Sequence, residues 1–225
     1  MGTGRSGIPK GLKNTTAKVL GMKMKPLFER HDMIEALRIV NPNYNMPGTG
    51  TDYTHNCALC TTAAALQLMG YDVEAMPRDK KWRGFDSVFD YVWTPENFKS
   101  PKDKFENYTG IPWDENYHNT NRFTGSDANS VRSEIEAQMK SWGTKSFAAM
   151  NVAWKGGGAH VVIVYQEKHQ TTVMDFQTHA TYSVEQWFNA HPNAKSESIG
   201  LYRLDNQKIK SSIKDVNKIV KRRNK

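Results

Sequence analysis

Residues 56–70 read Asn56-Cys57-Ala58-Leu59-Cys60-Thr61-Thr62-Ala63-Ala64-Ala65-Leu66-Gln67-Leu68-Met69-Gly70. The Ala/Leu run predicts a helix from about Cys57 to Met69, and Gly70 supplies its stop. The residues before it, 41–55, are rich in Asn, Pro, Gly and Thr and read as a long loop that delivers the chain to Cys57. A cysteine at this junction sits on the first turn of a helix, where unpaired amides and the helix dipole favour negative charge. Those surroundings favour the thiolate, which is the nucleophilic form. Cys60 lies one turn further in and reads as a small packing residue.

Two later segments supply possible partners for that sulfur. Gly156-Gly157-Gly158-Ala159-His160-Val161-Val162-Ile163-Val164 puts a histidine at the start of an apolar strand after a glycine turn, and Met174-Asp175-Phe176-Gln177 ends the next strand. With a hairpin loop over residues 166–169, Tyr165 pairs with Gln170 and His160 falls directly opposite Asp175. Opposed residues bring their Cβ atoms to roughly 4.5–5.5 Å, so the carboxylate could orient one imidazole nitrogen and leave the other for the thiol. The three residues form a Cys57, His160, Asp175 constellation of the thiol-enzyme kind. Gln177 follows on the same side of the strand and Asn56 precedes the sulfur; either amide is a candidate for substrate or oxyanion support, and either is equally a candidate for a structural hydrogen bond. The backbone N–H of Cys57 is the more secure oxyanion donor. This chemistry calls for no cofactor and no metal.

The Cys-x-x-Cys spacing has other readings. A redox dithiol needs a strand leading into the helix, and none clearly precedes Cys57. A zinc site needs two more ligands at close spacing, and no second Cys or His pair follows. Two cysteines three apart in a regular helix do not readily form a disulfide, so free thiols in a reducing compartment are expected.

Working outward, Asp32 caps a short helix through Val40 with Ile34, Leu37 and Val40 on one face, and Tyr71 to Met76 reads as a strand. Residues 79–125 are aromatic and polar by turns, with a helix near Phe85 to Trp93. An amphipathic helix follows over Asp127 to Trp142, then strands over Ser146 to Trp154, Ala159 to Tyr165, Gln170 to Phe176 and Ser198 to Leu204, with a Ser183-capped helix before the last. Helices followed by a mostly antiparallel sheet argue for an α+β fold.

The chain has 225 residues, is 38% hydrophobic and carries a net charge of +8, enough for one sizeable core. The charge is uneven: +6 over residues 1–30, +7 over 208–225 and −5 between them. The expected organisation is a basic N-terminal tail (1–30), a domain (31–207) and a basic C-terminal tail (208–225). Basic ends suit nucleic acid or another acidic surface, or else are simply solvated. No apolar run approaches the ~18 residues of a membrane span, and the first residues lack the apolar stretch of a secretory signal. A soluble protein without a membrane partner is expected.

Tyr53-Thr54-His55-Asn56-Cys57-Ala58-Leu59-Cys60, Met69-Gly70-Tyr71-Asp72-Val73-Glu74-Ala75, Gly158-Ala159-His160-Val161-Val162 and Asp175-Phe176-Gln177 together resemble the papain-fold toxin family. Its members are proposed glutamine deamidases of bacterial polymorphic toxins and of some bacteriophage head proteins. The resemblance spans residues 53–177. It implies a papain-like fold in which the Cys helix packs on an antiparallel sheet, with Cys57 as nucleophile, His160 as general base and Asp175 as its orienting partner. It implies a protein substrate attacked at a glutamine side chain. Because no delivery module accompanies the basic ends, the phage setting is attractive: capsid or portal proteins as partners, DNA met by the tails, and a cytoplasmic or virion-associated location. The other setting is an effector delivered into a target cell. A second reading keeps the fold for shape alone, as a virion protein with an idle site.

Overall fold

In the computed structural model, the structure describes residues 25–78, 93–94, 127–206, 208–209 and 219–223. Residues 1–24 and most of 79–125, including the helix expected near Phe85, lie outside them; Trp93 itself is in a strand.

Among the described residues the helices are α1 (Met33–Val40), α2 (Cys57–Leu68), α3 (Ala128–Trp142) and α4 (Val184–Ala190). The strands are β1 (Val73–Ala75), β2 (Trp93–Thr94), β3 (Phe147–Ala153), β4 (Ala159–Glu167), β5 (Gln170–Asp175), β6 (Ala180–Ser183), β7 (Gly200–Arg203), β8 (Lys208–Ile209) and β9 (Val220–Arg222). Five of them form an antiparallel sheet in the order β6-β5-β4-β3-β7. The architecture is α+β, with the Cys57 helix packed on the sheet.

Strand alternation builds two cores from one sheet. Val161, Ile163, Tyr165, Met174 and Phe176 pack with α2 and α1, through Leu59, Leu66, Leu37 and Val40. Val162, Val164 and Val173 face the other way, onto Val131, Ile135 and Met139 of α3 and Trp187 and Phe188 of α4. Because α2 lies between the sheet and α1, it is apolar nearly all round, and residues 58–67 are all buried. Thr61 meets its hydroxyl's need inside the core by donating to the Val161 carbonyl at 3.1 Å.

Caps set the helix starts. Asp32 accepts from the Glu35 amide at 2.8 Å, Asp127 from the Asn129 and Ser130 amides at 2.8 and 2.9 Å, and Ser183 forms a reciprocal capping box with Gln186. One expected face differs: Ile34 is 64% exposed, and the buried stripe of α1 is Ala36, Leu37, Ile39 and Val40.

The hairpin between β4 and β5 also differs. Glu167 pairs with Gln170, so the turn is the two residues Lys168 and His169, and β4 runs on through Gln166 and Glu167. The whole register shifts by two. An even shift leaves every side chain on its expected face.

Parts of both basic ends belong to the body. Leu27 is fully buried, and β9 pairs antiparallel with β1 while Ile219 and Val220 enter the same core as α2. Asp72 fastens the two ends together, meeting Arg30 at 3.3 Å and Arg223 at 3.2 Å. Arg30 also donates to Gln67 near the end of α2.

Candidate active site

Cys57 opens α2. The first intrahelical bond is from the Cys60 amide to the Asn56 carbonyl, at 2.9 Å. Asn56 stands at the cap position, yet its side chain makes no capping bond. It is buried and turned away, donating to the Met76 carbonyl at 3.1 Å and toward Asn41 Oδ1 at 3.4 Å. The first-turn amides of α2 therefore lack both an intrahelical acceptor and a capping side chain. They lie beside a half-buried sulfur, where negative charge is favoured.

His160 enters from the start of β4 and Asp175 from the end of β5. Continuing the ladder would put Asp175 against Val162, but the paired residues stop at Ile163 and Met174. His160 and Asp175 are thus diagonal neighbours on one face, at the end where the two strands cease to pair. The long imidazole spans the difference: Nε2 donates to Asp175 Oδ2 at 2.9 Å. A carboxylate only accepts, so Nε2 carries the hydrogen and Nδ1 is left for the thiol. The other carboxylate oxygen accepts from the Gln177 and Thr178 amides at 2.9 and 3.2 Å, which fixes the Asp175 rotamer. Both side chains are nearly enclosed, at 12% and 6% exposure. Trp154, packed with the α3–α4 core, lies over the imidazole with ring centres 6.1 Å apart. The imidazole therefore has Trp154 of the α3–α4 core against one face.

The charge states follow from these contacts. Burial works against the His160 imidazolium, but the hydrogen bond to Asp175 and then that to Cys57 outweigh it, and its pKa is pushed up to about 10. Burial likewise opposes the Asp175 carboxylate, and the hydrogen bond to His160 holds its pKa below the usual 3.8. Deep burial, with Cys57 and Asp175 adding to it, pushes the Cys60 thiol well above the usual cysteine range. Cys60 stays a neutral core group at physiological pH, as its full burial requires.

Gln177 does not face the sulfur with its amide nitrogen. Its Nε2 donates to the Thr54 carbonyl at 2.9 Å, tying the turn after Asp175 to the loop before Cys57. Asn56 and Gln177 therefore both spend their amide donors on backbone carbonyls around the site. A further residue, Asn41, was not legible as a site component. It is fully buried, and its Nδ2 donates to the carbonyls of Tyr53 and Gln177 at 3.0 Å each. His179, at a positive φ of 64°, donates to the Asn41 carbonyl at 2.8 Å. The only local sign of Asn41 is its place just after α1, where Asn commonly ends a helix.

The glycines before His160 serve the hairpin. Gly157 and Gly158 have φ of 92° and 84°, which side-chain-bearing residues rarely adopt, and open space surrounds Gly156 and Gly157. Among the described residues no group of three or more His, Cys, Asp and Glu could hold a metal ion, and no helix is long and apolar enough to cross a membrane.

Residues 55–180, more than half of the chain, match the model of a family described as papain fold toxin 1, glutamine deamidase. No curated protein matches, and no solved structure does.

Proposed function

This chain belongs to the papain fold toxin 1, glutamine deamidase family, and on that premise we propose that Cys57, His160 and Asp175 deamidate a glutamine side chain of a partner protein. The single observation that carries the reading is the 2.9 Å bond from His160 Nε2 to Asp175 Oδ2, which leaves Nδ1 of the same imidazole for the Cys57 sulfur.

The reaction proceeds from this arrangement. The imidazolium and the uncapped amides of α2 stabilise negative charge on the Cys57 sulfur. The sulfur attacks the glutamine carboxamide carbon, and the carbonyl oxygen becomes an oxyanion within reach of the Cys57 amide. His160 gives its proton to the departing ammonia as the C–N bond breaks, leaving a thioester. The now neutral imidazole takes a proton from water. The resulting hydroxide cleaves the thioester to glutamate and restores the thiolate–imidazolium pair. Asp175 keeps the Nε2 hydrogen in place throughout and stays ionised. Asn56 and Gln177 support the loop and turn that carry the reacting groups. A peptide or isopeptide bond would pass through the same steps.

The test is ammonia release from glutamine-containing proteins and peptides, with conversion of glutamine to glutamate followed by mass spectrometry. Wild type and Cys60→Ala should release ammonia; Cys57→Ser and His160→Ala should not. Retained activity in Cys57→Ser would overturn the assignment. Iodoacetamide should label Cys57 faster than the buried Cys60, and the Cys57 rate should fall when His160 is replaced.

A further inference from the structure

We infer that Asn41 is a positioning residue that sets the spacing between Cys57 and the His160–Asp175 pair; the inference rests on the reading of those three residues as the reacting groups. Cys57 and Asp175 come from segments far apart in the chain and belong to different elements. Nothing local fixes the distance between them. Asn41 joins the two segments with one planar amide. One Nδ2 hydrogen goes to Tyr53, in the loop entering α2, and the other to Gln177, two residues past Asp175; both bonds are 3.0 Å. Its Oδ1 faces the amide of Asn56, the residue next to Cys57, at 3.4 Å. Its main-chain carbonyl holds His179 beyond the same turn at 2.8 Å.

The demands on this side chain are specific. Two carbonyls must be satisfied by the two hydrogens of one planar group, with an acceptor left for Asn56. Asp has no hydrogens to give, and an apolar residue leaves both carbonyls buried without donors. Asn41 is itself held firmly, because α1 is anchored by Leu37 and Val40 in the core that contains α2. Thr54 receives the Gln177 amide nearby, so the loop and the turn are joined twice. A displacement of an ångström between sulfur and imidazole is enough to lower a rate by about a hundredfold.

The experiment measures iodoacetamide alkylation of Cys57 in the full chain for wild type, Asn41→Ala, His160→Ala and the double variant. Asn41→Ala should slow alkylation on the order of tenfold to a hundredfold when His160 is present. In the His160→Ala background it should change the rate by less than about twofold, because no pair remains to be positioned. Ser146→Ala, which removes a buried bond to the Gly143 carbonyl after α3 and away from the site, should lower the melting temperature without slowing alkylation. Asn41→Ser keeps one donor and should fall between wild type and Asn41→Ala, and it provides the measurement if the alanine variant does not fold. Equal slowing in both backgrounds, or slowing in Ser146→Ala to match, would show a role in stability alone and overturn the inference. A fast wild type unaffected by Asn41→Ala or Asn41→Ser overturns only the role of Asn41. A wild type no faster than His160→Ala removes the thiol-enzyme reading, and this inference with it.

Discussion

His160 and Asp175 share a hydrogen bond of 2.9 Å although they do not stand opposite each other in the sheet. They lie on a diagonal, one at the start of β4 and one at the end of β5, where the ladder has already stopped. The bond is therefore made by side-chain reach and by the Gln177 and Thr178 amides that aim the carboxylate. This makes Asp175 more than a neighbour: only a group held at that rotamer closes the gap.

Replacing Asp175 should thus damage the reaction more than the fold. Asp175→Asn keeps the volume but cannot stabilise the imidazolium, and deamidation should fall by about 10²–10⁴-fold, the span of general acid–base effects. Steady-state kinetics should show the loss mainly in kcat, with circular dichroism unchanged.

The same pair makes stability depend on pH in a defined window. The folded pKa of His160 is raised from 6.5 to about 10, so its contribution is complete below 6.5 and is lost as pH rises through about 10. The folded pKa of Asp175 is lowered from 3.8, so its contribution is present above 3.8 and is lost as pH falls below it. Both describe one hydrogen bond and count once. Urea midpoints of wild type and Asp175→Ala should differ most between pH 3.8 and 6.5 and converge toward either side. A gap that widens above pH 8 would contradict the assignment.

Ile219 and Val220 should behave as core residues despite their basic surroundings. Both are fully buried against the α2 core. Ile219→Ala should destabilise by about 2–5 kcal/mol in denaturant titrations, the range for such a truncation. A freely solvated tail would give no measurable change.

The capping box at α4 offers a smaller, local test. Ser183 accepts from the Gln186 amide at 3.1 Å while the Gln186 side chain answers the Ser183 amide at 2.8 Å. Ser183→Ala should lower stability by about 0.5–2 kcal/mol. Ammonia release should not change, since the box ties only the first turn of α4 and bonds to none of Cys57, His160 and Asp175.

What the sequence revealed and what it concealed follow from the range of the forces involved. Local signals were legible: the Cys57 helix and its glycine stop, the caps at Asp32, Asp127 and Ser183, and the strand alternation that builds both cores. The β4–β5 turn was placed too wide because Gln166 reads as a loop residue. It is buried in the strand, accepting from Thr171 at 2.6 Å and donating to the Lys168 carbonyl at 3.1 Å. β9 was hidden because Val220-Lys221-Arg222 reads as charge, whereas Lys221 meets Glu74 of β1 and the valine turns inward. Asn41 was hidden most completely. Its bond to Gln177 spans 136 positions, and no periodicity or spacing encodes such a contact.

The pairing of Val73 with Arg222 has a consequence for how the molecule assembles. β1 follows directly on the helix that bears the sulfur, yet its partner strand is supplied from the opposite extreme of the described chain. Closing so large a loop is slow, because its entropy must be surrendered before the contacts that repay it can form. A nascent polypeptide can already hold every reacting group and still have an unfinished floor beneath the nucleophile. Reactivity should therefore mature only once the stretch around residue 220 has been made and has docked.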